Sequence, residues 1–262
     1  MKILVLGAGN MVAAILEGLK NETDMSHFYL YSPSGKSAKE LAAKVGANFV
    51  STLDEINNPA WVWIGCKPQQ LKDLAKSIQG KFPQATFVSM LAALKESDQL
   101  NVLGAQKLIR IMPNLPVRFK KGITLLSSSS APAELKQMKT LFSTIGLTQE
   151  VSEDELEELT LLTGSGPALF YEFTKILAAS FTSLNEEQRE NLSRMVMIGS
   201  GMSVGSSEEN LSLMIDNVTS KAGVTIAVLN EWRALKLNEL IQKGIVAGKN
   251  RTSEITQSLR QS

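Results

Sequence analysis

The chain is poor in side chains for covalent chemistry. One cysteine, Cys66, and one histidine, His27, leave no material for an intrachain disulfide or a Cys/His metal cluster. The residues whose types and spacing suit chemistry begin at the N-terminus. An apolar run ending at Leu6 leads into Gly7-Ala8-Gly9-Asn10-Met11, and a helical stretch follows directly. In that setting a glycine turn delivers a diphosphate to a helix N-terminus. Gly7 permits the tight turn and Gly9 lets the backbone approach the anion. Val12 stands at the third glycine position of this dinucleotide fingerprint. Gly7, Gly9, Asn10 and Met11 are therefore candidate cofactor-binding residues.

Two further turns belong with this one. Where an NAD site places a carboxylate on the ribose, the chain reads Tyr31-Ser32-Pro33-Ser34-Gly35-Lys36, which offers hydroxyls and a cation suited to a 2′-phosphate. Ser32 is the candidate contact and NADPH the preferred cofactor, with NADH the alternative; an ordinary solvated turn has the same composition. A later apolar run, Trp61 to Ile64, opens into Gly65-Cys66-Lys67-Pro68-Gln69. Loops at the carboxyl ends of strands line the ligand crevice of a doubly wound sheet, so Cys66, Lys67 and Pro68 are expected to face the cofactor. Cys66 reads as a small buried residue rather than a nucleophile.

Positioning these loops needs a parallel sheet, and the patterning supplies one. Short β-branched or apolar runs predict strands at Lys2 to Leu6, Phe28 to Tyr31, Asn48 to Val50, Trp61 to Ile64, Thr86 to Ser89, Lys107 to Met112 and Ile123 to Leu126. Helical stretches alternate with them, among them Val12 to Lys20, Ser37 to Val45 and Ala133 to Ile145. After Val151 only helices are expected: Glu153 to Leu162, Pro167 to Leu184, Glu186 to Ser200, Asn210 to Val218 and Thr225 to Asn250. The fold class is α/β, with a Rossmann-type nucleotide-binding domain over residues 1–151 and an all-α domain over 152–262. Met195 to Val204 is apolar with Gly199 and Gly201 among its residues, which calls for close packing by another helix or another subunit.

Lys and Arg number 27 against 26 Asp and Glu, which removes any global field for nucleic acid or an anionic membrane and points to a small-molecule partner. The apolar run before Gly7 is too short for a signal sequence or a membrane span, and with the lone thiol this suits the cytoplasm.

Three more segments, Arg110-Ile111-Met112-Pro113-Asn114-Leu115-Pro116, Leu162-Thr163-Gly164-Ser165-Gly166-Pro167-Ala168 and Val218-Thr219-Ser220-Lys221-Ala222-Gly223-Val224-Thr225, join the GAGNM and CKPQ turns in order. Together the chain resembles the pyrroline-5-carboxylate reductases over nearly its whole length. The resemblance implies a Rossmann domain, a helical domain that interlocks two subunits, and NAD(P)H-dependent reduction of pyrroline-5-carboxylate to proline. It also implies that Ser220, Gly223 and Thr225 hold the substrate carboxylate, and that Gly164 to Pro167 opens the long interface helix near the nicotinamide. The residues make sense of that role: hydroxyls and backbone N–H groups of Ser220, Gly223, Val224 and Thr225 gather at a helix start, where an anion is stabilised. Thr225 is the single catalytic candidate. A protonated cyclic imine is already an electrophile, so positioning carries the catalysis.

Lys221 and Ala222 depart from the family's Ser-Pro-Gly-Gly-x-Thr loop, and Leu94 stands where the family commonly has glycine. A methyl group at Ala222 costs energy if that residue has positive φ. With Val12, these departures motivate two rival readings, an NADP-binding homologue without turnover and a reductase of a related cyclic imine. A β-hydroxyacid dehydrogenase would need a helical Lys–Asn pair, and Lys236 and Asn238, two apart, point to different faces of a helix.

Overall fold

The computed structural model describes residues 1–261. Eight strands form one sheet: β1 (Ile3–Leu6), β2 (Phe28–Tyr31), β3 (Asn48–Phe49), β4 (Trp61–Ile64), β5 (Thr86–Ser89), β6 (Leu108–Pro113), β7 (Gly122–Ser127) and β8 (Gly146–Glu150). Their spatial order is β3-β2-β1-β4-β5-β6-β7-β8. The first six run parallel in the doubly wound order; β7 pairs antiparallel with β6, and β8 follows β7 in parallel. Helices α1 (Asn10–Leu19), α2 (Lys36–Val45), α3 (Leu71–Ile78), α4 (Glu96–Leu103) and α5 (Pro132–Ser143) connect the strands.

Strand residues alternate between two cores. Ile3, Val5, Trp63 and Val88 face α1, α2 and α5 through Val12, Ala38 and Leu135, while Leu4, Leu6, Ile64 and Phe87 face α3 and α4 through Leu71 and Leu103. Burial on both faces explains why β1 and β4 read as unbroken apolar runs.

The remaining helices are α6 (Glu153–Ala179), α7 (Glu186–Ser206), α8 (Leu211–Asn217), α9 (Val224–Ala234) and α10 (Leu237–Gln261). Two compact units result: Met1–Pro167 with the chain from Arg251 onward, and Ala168–Asn250. The last strand ends at Glu150, so the strand-bearing stretch stops where the sequence pattern changes, while the first turns of α6 belong to the sheet unit.

Three elements differ from expectation. Strand β8 (Gly-Leu-Thr-Gln-Glu) was not expected, because at the sheet edge it is mostly exposed and carries no apolar alternation. Helix α6 continues through the Gly164–Pro167 segment, where a break between Leu162 and Pro167 is expected from the glycines and proline. The expected helix from Thr225 to Asn250 is divided, because Lys236 takes φ +58° between α9 and α10. Lys236 is therefore outside any helix, which further separates it from the Lys–Asn arrangement considered above.

Candidate cofactor and substrate sites

The glycine turn is built against the end of β4. Gly7 has φ +113°, and a Cβ there would lie 2.7 Å from the Gly65 carbonyl oxygen. Its N–H donates to the Tyr31 carbonyl at 2.8 Å, and the Gly65 N–H donates to the Leu6 carbonyl at 2.8 Å. The turn is thus clamped between the carboxyl ends of β2 and β4. Gly9 is the N-cap of α1, in extended conformation, and open space surrounds the position of a Cβ. No side chain caps α1 and no acid lies in its first turn. Gly9 and Asn10 are exposed and Met11 is half-buried. An uncapped helix start with free backbone N–H groups and approachable backbone fits a dinucleotide diphosphate.

The missing third glycine has a structural counterpart. Val12 is buried, and a Cβ on Gly65 would sit 2.4 Å from its Cγ2. The close approach of helix and strand that a glycine at position 12 would provide is provided here by a glycine on the facing strand end.

At the second turn, Ser32 is buried, and its Oγ accepts from the Ala38 N–H at 3.3 Å and the Ser37 hydroxyl at 3.2 Å. Ser32 therefore anchors the start of α2, and the exposed polar side chains of the turn are Ser34 and Lys36. At the third, Lys67 is exposed, Cys66 and Pro68 are half-buried, and the Lys67 N–H donates to Gln70 Oε1 at 3.0 Å. Pro68 opens a short 3-10 turn ahead of α3. Burial pushes the Cys66 thiol up to about 11, so it stays protonated at neutral pH and is no nucleophile.

The loop after β5 forms a cavity of about 100 Å³ at the end of the sheet that carries Gly7. Ala92, Ala93, Arg110 and Met112 line one side, and Glu157, Thr160 and Ser165 of α6 line the other. The left-handed residue here is Ala93, with φ +63°, and not Leu94, whose carbonyl accepts from Gln99 Nε2. Arg110, almost fully buried, reaches Glu153 at 3.0 Å and Glu157 at 3.5 Å. Glu96 extends the network: its N–H donates to Glu153, and its carboxylate accepts the N–H groups of Ser129 and Ser130. A buried guanidinium is tolerated only when paired in this way. Sequence reasoning assigned Arg110 and Asn114 no individual role; a cation inside an otherwise apolar strand pattern and an amide just beyond its proline were the available signal.

The Ser220–Thr225 loop lies in the helical unit. Gly223 is the N-cap of α9 in the same extended conformation as Gly9, again with no side-chain cap and no acid in the first turn. Its N–H donates to the Ser220 carbonyl at 3.0 Å, and a Cβ on Gly223 would meet Ser220 Oγ at 2.2 Å. Ser220, Val224 and Thr225 are exposed. The strain anticipated at Ala222 is absent, since the non-glycine residues with positive φ are Asn58, Ala93, Lys120 and Lys236. At Gly223 the missing Cβ instead leaves room for the Ser220 hydroxyl in its present position.

Among the described residues no group of acidic, His and Cys side chains could hold a metal ion, and no helix is long and apolar enough to cross a membrane.

A doubly wound sheet with a glycine turn at its first helix, in a chain that also carries an all-helical unit, defines the class of dinucleotide-binding proteins. Residues 2–93 match the family described as NADP oxidoreductase, coenzyme F420-dependent, and residues 153–255 match pyrroline-5-carboxylate reductase dimerisation. A pyrroline-5-carboxylate reductase of Staphylococcus saprophyticus is 32% identical over 98% of both chains. The solved 1-pyrroline-5-carboxylate reductase of Streptococcus pyogenes shares 26% identity, covers 98% of each chain and superposes with TM-score 0.81. The Plasmodium falciparum pyrroline carboxylate reductase, solved with NADP bound, shares the fold at TM-score 0.83 and 20% identity, over 99% of this chain and 98% of that one. The chain belongs to the pyrroline-5-carboxylate reductase family.

Proposed function

We infer that this protein reduces pyrroline-5-carboxylate to proline with NADPH. The observation that carries the reading is that a member of this family presents two glycine-capped, acid-free helix starts, at α1 and at α9, each receptive to an anion. The first suits the cofactor diphosphate and the second the substrate carboxylate. NADPH supplies the hydride when bound. Gly7, Gly9, Asn10 and Met11 hold its diphosphate, the Ser32 to Lys36 turn takes the ribose phosphate, and Cys66, Lys67 and Pro68 line the nicotinamide side. Ser220, Gly223, Val224 and Thr225 hold the imine by its carboxylate. The imine nitrogen enters already protonated and keeps its proton as the ring carbon accepts hydride, so binding and orientation suffice, contributing about 7–11 kcal/mol in favourable cases.

The working unit we propose is a cytoplasmic homodimer. Helix α7 meets α6 through Met197 and Thr174 but has no buried residue, and open space surrounds Gly199 and Gly201, so the chain leaves most of its apolar face uncovered.

The test is NADPH oxidation with pyrroline-5-carboxylate, with NADH and a six-membered imine as comparisons. Saturable turnover is expected, fastest with NADPH; NADPH binding without turnover of any imine would instead support a noncatalytic homologue. Thr225→Ala should lower kcat/KM about 10-fold or more, the loss of a hydrogen bond to a charged group, with NADPH affinity intact. Unchanged kinetics would remove Thr225 from the site.

A further inference from the structure

Helix α6 passes through Pro167 without breaking. A proline inside a helix removes one hydrogen bond, that to the carbonyl four residues back, and its ring pushes against the same carbonyl. Here the bereft acceptor is Thr163 O. It is not left empty: Asn114 Nδ2, from the turn that follows β6, donates to it at 2.9 Å. The amide is fixed at its other end, where Asn114 Oδ1 accepts the Ile123 N–H at 2.8 Å. Each end of the amide meets its complement, since an N–H faces Oδ1 and a carbonyl faces Nδ2, so the side chain has one satisfactory orientation. Asn114 and Thr163 are both buried, where a carbonyl without a donor is costly.

The bond therefore holds a particular turn of α6. Ser165, two residues beyond Thr163, lines the cavity opposite Ala92 and Ala93, at the carboxyl end of the parallel sheet where a doubly wound fold binds its ligand. With glycines at 164 and 166 and a proline at 167, this turn has weak intrinsic helicity, and its local backbone donor is missing.

We propose that Asn114 is a positioning residue for the reductase reaction, its side-chain N–H replacing the backbone donor that Pro167 lacks and so holding the Gly164–Pro167 turn at the cavity wall. This rests on the reductase reading above.

The test is a double-mutant cycle. Asn114→Asp keeps the acceptor for Ile123 and, when ionised, offers Thr163 O no donor, so kinetics are read at a pH above that carboxyl's titration; Pro167→Ala restores the backbone donor. In the native background Asn114→Asp should lower kcat at least about tenfold, as small misplacements in a site do, while KM for NADPH stays within about twofold. In the Pro167→Ala background the same change should lower kcat less than about threefold relative to Pro167→Ala alone. Equal losses in both backgrounds, or no loss in the native one, overturn the proposal. If Asn114→Asp alone does not fold, a folded and active double variant supports the assignment, and a double variant that also fails overturns it. Absence of imine reduction by the native protein would instead overturn the reductase reading, an outcome separate from either result of the cycle.

Discussion

The sheet unit and the helical unit solve the burial problem in opposite ways. From Met1 to Pro167 the apolar side chains fill two large cores and a small third around Met112, Leu125 and Leu156, with Trp63, packed on Phe28 and Phe142, in the largest. From Ala168 to Asn250 one side chain, Ala178, is buried. Yet the helical unit is no more polar where it matters, since Phe170, Met195, Val196, Met202 and Leu240 all stand exposed. A single chain thus specifies the first unit completely, whereas the second carries an apolar surface whose counterpart, on our reading, is the same surface of another copy.

The largest test of that contrast is Val196→Asp on α7. On a solvated face such a change moves stability by no more than about 0.5 kcal/mol. At a covered interface it strands an unpaired carboxylate. We expect sedimentation to show loss of the dimer and activity to fall with it; an unchanged mass and unchanged activity would break the comparison. In the self-sufficient unit, damage should stay local. Gly7→Ala forces a methyl group onto the Gly65 carbonyl at φ +113° and should cost about 1–3 kcal/mol, read as weakened NADPH binding in titration with the dimer intact. The smallest effect sharpens the picture from the other side. Ala93→Gly relieves a left-handed alanine and should raise stability by up to about 1 kcal/mol, seen as a thermal midpoint a few degrees higher.

The same contrast governed what the sequence made legible. Strands β2, β4 and β5 fall at their expected bounds because buried parallel strands are continuous apolar runs closed by Gly, Pro, Ser or charged residues. Edge strand β8, with Thr, Gln and Glu, has no such signal. Along α6 the local code misled: the helix runs on through Gly164–Pro167, where Asn114, 49 residues earlier in the chain, donates to the Thr163 carbonyl. The break at Lys236 has no glycine or proline to announce it. At the sites, the glycine turn and the Ser220–Thr225 helix start were legible from residue type, since backbone conformation is what they supply. The anchoring role of Ser32 and the placement of the left-handed residue at Ala93 depend on neighbours that only the fold brings close.

Val12 and Gly65 carry one consequence about time rather than space. With Gly65 unchanged, a glycine at position 12 loses the packing of a buried valine but meets no clash, and it can be reached in one step. With Val12 unchanged, any side chain at position 65 collides with its methyl group. Exchange of the two roles can therefore proceed only if position 12 shrinks first, so this pair imposes an order on the sequence's history, open in one direction and closed in the other.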